Sequence, residues 1–331
     1  MCMPVFVSVD VVRFLAFVAF AGSAIAFPGA ACADFPERSI TLVVGASAGG
    51  GVDAAARLIA KSFTESLHQP VVVENRPGAY SRIAYATVAK APADGHTLLI
   101  ATATAAIDIA IDPAASPNAM RDFVPVATLA TTDLVLVVSS SLPVRNVDDL
   151  VAYARAAPGS LNFSTPGAHT IYHLEGELFK LRTGVDIVHV PYKGLVQALS
   201  GLLNGDVQMT FASLPAALPF IKAGSVRALA VASADRSPLL PDVPTMQESG
   251  VDGVDTTAWY GILAPAGTPD SAIHVLAHAV RDASRSSEYR QALLDMGASP
   301  FTTTPGGFAD VLRSEVVKWG ELVKRAQLST R

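Results

Sequence analysis

Hydrophobic positions along the chain alternate between two periods. Short apolar or β-branched runs lie at residues 39–44, 71–74 and 97–101. Between the first two runs, apolar residues recur at helical spacing, at Val52, Ala55, Ala56, Ile59, Phe63 and Leu67. A second helix is predicted over residues 83–89. Strand, helix and strand in this order predict βαβ units and a mainly parallel sheet, which is an α/β fold.

The same alternation continues through the middle of the chain. Further strands are predicted at residues 134–138, 161–163, 187–190, 207–211 and 226–232, and helices at residues 148–156, 173–181 and 196–203. Gly224 follows a Lys-Ala pair and is typical of a helix end. The last third is helical, and Thr268-Pro269 and Thr304-Pro305 are expected to cap two of its helices.

An N-terminal apolar run, residues 14–27, follows Arg13 and leads to Ala31-Cys32-Ala33. The run is shorter than the roughly 20 residues that a bilayer span needs. We interpret residues 1–33 as a secretory signal peptide that is cleaved after Ala33. Lipidation at Cys32 is the alternative, although Gly29 stands where that signal needs a bulky aliphatic residue.

Composition narrows the class of protein. Of the 331 residues, 50% are hydrophobic and 16% are charged, which excludes a disordered chain or a coiled coil. The net charge is −5 and no basic block is present, so we expect no nucleic acid partner and no anionic membrane surface. Both cysteines, Cys2 and Cys32, lie in the expected signal, so no disulfide or thiolate chemistry is expected.

The length favours two domains. No Pro-, Gly- or Ser-rich linker separates them, so the chain is expected to cross between domains on strands. Residues 127–138 and 259–265 are the segments that we select for these crossings.

A glycine-rich segment, Gly45-Ala46-Ser47-Ala48-Gly49-Gly50-Gly51, follows the first strand and opens the first helix. It contains GxSxG, so an exported serine hydrolase using Ser47 is one hypothesis. In that fold one oxyanion donor comes from a loop after an earlier strand, and only residues 34–38 precede this strand in the expected mature chain. The loss of one such donor costs about 3 to 4 kcal/mol of transition-state stabilisation, which argues against the hydrolase.

The dinucleotide-binding and P-loop motifs fail on spacing. A glycine-rich turn at a helix start nevertheless exposes backbone N–H groups, and these favour an anion. Asp53 lies just inside the helix, where we expect a structural capping role.

Two further polar loops precede helices. The first, Ser164-Thr165-Pro166-Gly167-Ala168-His169-Thr170, presents hydroxyl and N–H groups, either to a ligand or as a plain helix cap. The second, Val190-Pro191-Tyr192-Lys193-Gly194, follows a strand at the edge where open α/β sheets bind ligands.

Two histidine pairs have metal-ligand spacing on a helix, His169 with His173 and His274 with His278. Neither has a third ligand at a recognisable spacing, so no metal and no cofactor are expected.

A set of segments recurs in a characteristic order and spacing: Phe35-Pro36 through Ile40-Thr41-Leu42-Val43-Val44, Ala48-Gly49-Gly50 with Asp53 and Arg57, Val73-Glu74-Asn75-Arg76-Pro77-Gly78-Ala79, Pro92-Ala93-Asp94-Gly95, Gly176-Glu177-Leu178-Phe179, Val188-His189-Val190-Pro191-Tyr192-Lys193-Gly194, Leu240-Pro241-Asp242-Val243-Pro244-Thr245 and Leu263-Ala264-Pro265-Ala266-Gly267-Thr268-Pro269. In this order and spacing the segments resemble the Bug-type periplasmic receptors, the substrate-binding subunits of tripartite tricarboxylate transporters.

The resemblance implies an α/β, two-lobed periplasmic binding protein of the Venus flytrap, type II-like kind, with two crossing hinge strands. The lobes would be residues 34–134 plus 259–331 and residues 135–258. The implied role is a periplasmic, monomeric and non-catalytic receptor that delivers a small carboxylate to transporter subunits, or a sensor subunit for a membrane kinase. Loops of both lobes would bind the carboxylate, through Ser47, Ala48, Gly49, Gly50, Asp53, Thr165, Ala168, His169, Thr170, Tyr192, Lys193 and Gly194.

Several positions depart from the usual pattern of these receptors. Ala46 replaces an aromatic residue and Gly45 a proline, which implies a looser first loop. Tyr80-Ser81-Arg82 replaces Gly-Gly-Asn, and Ala168-His169 and Ile171-Tyr172 replace other pairs. Ala212 stands where an aspartate is common, which removes a partner for a ligand ammonium group. We therefore count Tyr80, Ser81 and Ala212 among the site residues and expect a non-amino carboxylate, an aromatic one included.

Overall fold

The computed structural model describes residues 35–326, except residues 115 and 255. The strands are β1 (Ile40–Val44), β2 (Val71–Asn75), β3 (Thr97–Thr102), β4 (Phe123–Ser139), β5 (Leu161–Thr165), β6 (Ile187–Pro191), β7 (Met209–Ser213), β8 (Val226–Val231), β9 (Thr257–Pro265) and β10 (Ala298–Pro300). The helices are α1 (Gly51–Leu67), α2 (Arg82–Ala89), α3 (Thr104–Ile111), α4 (Val147–Ala156), α5 (Ile171–Thr183), α6 (Leu195–Asn204), α7 (Leu214–Lys222), α8 (Asp270–Arg285), α9 (Ser287–Asp295) and α10 (Pro305–Arg325). This arrangement confirms the α/β class.

The predicted signal peptide and its alternative, lipidation at Cys32, lie outside the described residues. Among the helices that the structure does describe, none combines the length and the apolar character that crossing a membrane requires.

Strand β4 belongs to two sheets. Its first part pairs antiparallel with β9, beyond which lie β3, β1 and β2, and its last part pairs with β7 and β8, beyond which β7 leads to β5 and β6. The pairs β1–β2, β1–β3, β5–β6 and β5–β7 are parallel, as the βαβ pattern predicted. Strand β4 contains the first expected crossing segment. The second sheet connects to β9 where the Thr256 N–H donates to the Ala232 carbonyl, at 2.6 Å.

Most predicted elements lie within two residues of their observed bounds, and the differences have local causes. Helix α3 was not predicted because it is apolar on nearly all sides and therefore has no amphipathic stripe. Helix α9 and the short strand β10 were also missed. Thr304 caps α10 by accepting from the Gly307 N–H, as predicted. The expectation for Thr268 was wrong, because its hydroxyl donates to the Pro265 carbonyl and leaves α8 without a side-chain cap.

Helices cover both faces of the first sheet. Along β1, Ile40, Leu42 and Val44 belong to one buried cluster, and Val43 belongs to another on the opposite face. The first cluster contains the inner faces of α1 and α8, and the second contains those of α3 and α10. Burial of each large side chain stabilises the fold by about 1.5 to 3 kcal/mol. Of these helices, α1 follows β1 and α3 follows β3, so both begin at the carboxyl ends of parallel strands.

A stack of aromatic rings supports the loop at residues 165–170. The rings of His173 and His189 lie 4.1 Å apart, and the ring of Phe163 lies 5.0 Å from His189. The Nδ1 atom of His173 accepts from the His169 N–H at 3.2 Å, and Nε2 of His189 lies 2.6 Å from Thr165 Oγ1. Burial lowers the pKa of both His173 and His189 to about 4, and positive neighbours such as Lys180 act in the same direction. At neutral pH both imidazole rings are therefore uncharged, and the stack supports the loop in this form.

We expect the stack to make the protein sensitive to acid. Between a folded pKa of about 4 and an unfolded pKa of 6.5, only the unfolded chain takes up the proton of His173. Stability from this group is therefore complete above pH 6.5 and is lost as the pH falls towards 4, by roughly 2 to 3 kcal/mol. His173→Asn keeps a hydrogen-bond acceptor but does not titrate. Denaturant unfolding should show that the stability of the wild type relative to this variant rises with pH across that window.

The stability of the variant is subtracted from that of the wild type because a second group titrates in the same pH range. Burial raises the pKa of Asp108 to about 6, so the stability from that carboxyl group falls as the pH rises. A flat difference for His173→Asn would contradict the role of the stack.

Candidate functional site

A cavity of about 750 Å³ lies where the two sheets approach each other. Within the described part of the chain, six helices have their N-cap or first residue in its wall, namely α1, α2, α3, α5, α6 and α7. All of them except α2 follow a strand directly, so the carboxyl ends of β1, β3, β5, β6 and β7 meet here. First-turn N–H groups lack partners within their helix, and helix dipoles make this end positive. The cavity thus has a positive potential that comes mainly from the backbone.

The glycine loop, residues 45–50, is held by neighbouring side chains. The Asp53 carboxylate accepts from the Gly49 N–H at 2.9 Å, from Arg57 Nε at 3.0 Å and from Asn75 Nδ2 at 2.9 Å. The same Asn75 nitrogen donates to the Ala46 carbonyl at 3.0 Å. Burial acts to raise the pKa of Asp53, but the hydrogen bonds from Arg57, Gly49 and Asn75 outweigh it and lower that pKa. Asp53 is therefore ionised and ties the loop to α1 and β2.

Ser81 explains why residue 45 is glycine. A Cβ at Gly45 would collide with the Ser81 side chain, whose hydroxyl donates to the Gly45 carbonyl at 3.1 Å. Ser81 thus fills the space beside Gly45 and bonds to its carbonyl, while the expected looser loop stays a prediction.

The loop at residues 165–170 shapes the opposite wall. Thr165 is buried, and its hydroxyl oxygen accepts from the Gly167 N–H at 3.2 Å. Thr170 caps α5 by accepting from the His173 N–H. The Tyr80 ring lies directly against Gly167, where a Cβ would be 2.5 Å from Tyr80 Cε1. Tyr80 thus reaches across the cavity from the first sheet to the second.

The third loop carries the positive side chain. Lys193 is exposed at the rim, and the N-cap of α6 is Gly194, which has no side chain to satisfy the first-turn N–H groups. A Cβ at Gly194 would lie 4.0 Å from Ser47 Oγ, so this loop and the glycine loop approach each other. Among the described lining residues Lys193 is the only charged one, and none is a carboxylate or a histidine. An anion fits this lining better than a cation does.

Eight of the site residues expected from sequence line the cavity in the described chain: Ser47, Gly50, Tyr80, Ser81, Thr170, Tyr192, Lys193 and Gly194. The others lie outside its wall. Ala48 is exposed, the N–H of Gly49 is engaged by Asp53, and Thr165 supports its own loop. Ala168 and His169 are half-buried and do not line the cavity.

Ala212 also lies outside the cavity. It is fully buried in the cluster between β7, α6 and α7, and the next residue, Ser213, lines the cavity instead. An aspartate at position 212 would therefore not face a ligand in this structure. The expectation that the ligand lacks an ammonium group is therefore not supported by Ala212, whereas the described lining residues include no carboxylate.

Other lining residues were missed from sequence, namely Thr102, Ala103, Thr104, Tyr172, Ser213 and Tyr260. Thr102 and Ser213 end strands, so the rule that ligands lie at the carboxyl ends of strands was sufficient to select them. Tyr260 lies inside β9 and gives no local signal.

The hydrolase and metal hypotheses gain no support. No histidine or carboxylate among the described lining residues lies beside Ser47, so no general base is present there. No group of three potential metal ligands occurs within residues 35–326 as described.

Comparison with known proteins assigns the family. The profile described as "TctC: Tripartite tricarboxylate transporter family receptor" matches residues 55–328. Protein BugT of Bordetella pertussis (strain Tohama I) is 36% identical over 88% of this chain and 90% of its own length.

Two solved structures are similar over most of the chain. The structure titled "R. palustris Rpa4515 with adipate" is 38% identical with a TM-score of 0.86, covering 89% of this chain and 99% of that one. The structure titled "MatC (Rpa3494) from Rhodopseudomonas palustris with bound malate" is 32% identical with a TM-score of 0.82, covering 87% and 100%. The two-lobed fold expected from sequence is thereby confirmed. The chain belongs to the receptor family of the tripartite tricarboxylate transporters, whose members are periplasmic solute-binding proteins and not enzymes.

Proposed function

We propose that this chain holds a small carboxylate in the cavity of about 750 Å³ and delivers it to the membrane subunits of a tripartite transporter. The observation that carries the proposal is the convergence of helix N-termini on a wall whose described residues include one lysine and no acid. Backbone N–H groups, Ser47 and Lys193 are the proposed donors to the carboxylate, whereas the Thr170 hydroxyl already donates to the Gly167 carbonyl at 2.8 Å.

These donors are sufficient energetically. A hydrogen bond to a charged group contributes about 1.5 to 3 kcal/mol net. Three or four such bonds, less the cost of ordering the ligand, reach the roughly 8 kcal/mol of a micromolar complex. A buried arginine is not required.

The ligand is proposed to lack an amino group. An ammonium ion in this cavity would meet helix N-termini and Lys193 without a compensating carboxylate in the described lining, and such an unpaired charge is costly. The solutes named with the two similar R. palustris structures, adipate and malate, are carboxylates of this type.

Binding is proposed to close two lobes, residues 34–134 plus 259–331 and residues 135–258. The contact of Tyr80 with Gly167 supports this, because it joins the first loop region of one lobe to the second lobe across the cavity. Tyr80 and Ser81 themselves have positive φ angles of 56° and 72°, so the segment projects Tyr80 in a backbone conformation that side chains rarely adopt.

Export is proposed to proceed through the N-terminal signal, with cleavage after Ala33 and release of a monomer into the periplasm. The apolar run at residues 14–27 and the small residues that follow it support this step.

Titration calorimetry with a panel of solutes tests the proposed function. We expect adipate or malate to bind with a dissociation constant in about the micromolar range. Glutamate and aspartate, which add an ammonium group, should bind at least tenfold more weakly. Tight binding of an amino acid with no binding of either dicarboxylate would contradict the proposal.

Lys193 and Asp53 are expected to have separate roles. Lys193→Ala should weaken carboxylate binding about tenfold, more at low salt than at high salt, with unchanged stability. Asp53→Ala should lower the free energy of unfolding by about 1 to 3 kcal/mol, because it leaves the Gly49 N–H without its partner and removes one of the two acceptors of the Asn75 amide. Calorimetry and denaturant unfolding measure the two effects. Lys222→Ala, at an exposed lysine outside the cavity, is the control. Equal losses of affinity in both variants without loss of stability would contradict this division.

Gly167→Ala tests closure over the ligand. The new Cβ would meet the Tyr80 ring at 2.5 Å, and the φ of 145° is unfavourable for alanine. We expect about tenfold weaker binding by calorimetry, partly restored when Tyr80→Ala is added because the collision is then removed.

Gly184→Ala is the matched control for that experiment. Gly184 also has a positive φ, of 67°, but nothing lies within 4 Å of its Cβ position. Its replacement should cost about 1 kcal/mol of stability and leave binding unchanged. Wild-type affinity in Gly167→Ala would show that Tyr80 and Gly167 need not be in contact in the bound state.

A further inference from the structure

Three consecutive residues between β2 and α2 have a left-handed backbone conformation. Ala79, Tyr80 and Ser81 have φ angles of 45°, 56° and 72°. This conformation costs free energy in any residue other than glycine, because it brings Cβ close to the following carbonyl oxygen. Only two other non-glycine residues of the described chain have positive φ angles, and they are not adjacent. Backbone strain is therefore concentrated in residues 79–81, which we call the strap.

The carboxyl end of the strap is fixed to its own side of the cavity. The Ser81 hydroxyl donates to the Gly45 carbonyl at 3.1 Å, and Nε of the next residue, Arg82, lies 3.6 Å from the Asp108 carboxylate on α3. The first two residues of the strap, in contrast, are exposed. Strain of this kind persists only where surrounding structure enforces it, and packing around these two exposed residues does little to enforce it.

The contact that accompanies the strained conformation crosses the cavity. The Tyr80 ring lies against Gly167, where a Cβ would be 2.5 Å from Tyr80 Cε1, and its centroid is 6.2 Å from that of the His169 ring. Both partners belong to the loop at residues 165–170, on the opposite wall. Opening of the proposed lobes would break this contact, and the exposed part of the strap would then be free to relax.

We infer that the strap is a strained latch, left-handed at Ala79 and Tyr80 only while the lobes are closed, so that its relaxation favours opening and speeds release of the ligand. The inference rests on the proposed function and adds what sets the release rate. Closure over a ligand imposes the strain again, and the free energy of binding is reduced by that amount. A strap with less strain should therefore hold the ligand longer.

The test changes the strain at residue 79 in both directions and leaves Tyr80 and Ser81 intact. Ala79→Gly relieves the strain because glycine adopts positive φ freely, whereas Ala79→Val increases it because a β-branched residue is a poor fit to this conformation. The probe is adipate or malate, whichever the wild type binds more tightly by calorimetry. Release is measured by chasing the isotope-labelled solute with excess unlabelled solute. We expect release about fivefold slower in Ala79→Gly and about fivefold faster in Ala79→Val.

A double-mutant cycle links the strain to the contact across the cavity. Tyr80→Ala removes the ring, so the strap is relaxed in the closed protein as well. Adding Ala79→Gly to Tyr80→Ala should then leave the release rate unchanged to within about twofold. If Ala79→Val does not fold, Ala79→Gly and this cycle carry the test.

His68→Gly is the matched control. His68 is also exposed and left-handed, with a φ of 54°, but it lies at the end of α1 and is not among the described residues that line the cavity. Its replacement relieves the same kind of strain away from the ligand. Denaturant unfolding should show a gain in stability, while the release rate should remain that of the wild type.

The outcomes separate the two proposals. Wild-type release rates in Ala79→Gly and Ala79→Val overturn the latch and leave the proposed function intact. An effect of Ala79→Gly that is equally large in the Tyr80→Ala background does the same, as does equally slow release in His68→Gly. Failure of the wild type to bind adipate and malate overturns the proposed function, and this inference with it.

Discussion

The structure depends on unsatisfied backbone N–H groups at the starts of several helices that converge on one cavity. Parallel strands place their carboxyl ends along one edge of a sheet, and the helix that follows each strand begins at that edge. Two sheets joined through β4 bring two such edges together. A negatively charged group is the simplest partner for the combined dipoles, since each helix start carries about half a positive charge.

This arrangement requires short, rigid loops, and side chains outside the cavity supply the rigidity. Asp53, Asn75 and Ser81 hold the glycine loop from α1, β2 and the short turn before α2. The buried histidine stack does the same for the loop at residues 165–170. Asp53 therefore stabilises the glycine loop from outside the cavity wall, and its carboxylate occupies the Gly49 N–H.

The near absence of charged side chains in the wall has a consequence for selectivity. With one lysine in the described lining, electrostatic attraction favours any small anion, and shape and neutral donors must distinguish among them. Tyr80, Tyr172 and Tyr260 are the features of this chain suited to that task. They place aromatic side chains where smaller residues would leave more space.

The sequence by itself determined the α/β class, the bounds of most strands and helices, and the three loops at the cavity. These features depend on local periodicity, on glycine and on helix capping, which act over a few residues. Tertiary structure decided which loop residues face inward. The Gly49 N–H and the Thr165 hydroxyl are engaged in intramolecular hydrogen bonds, and Ala212 is buried in the core. Tyr260 joins the site only because β9 lies beside β3, and strand pairing between residues more than a hundred positions apart leaves no trace in local pattern.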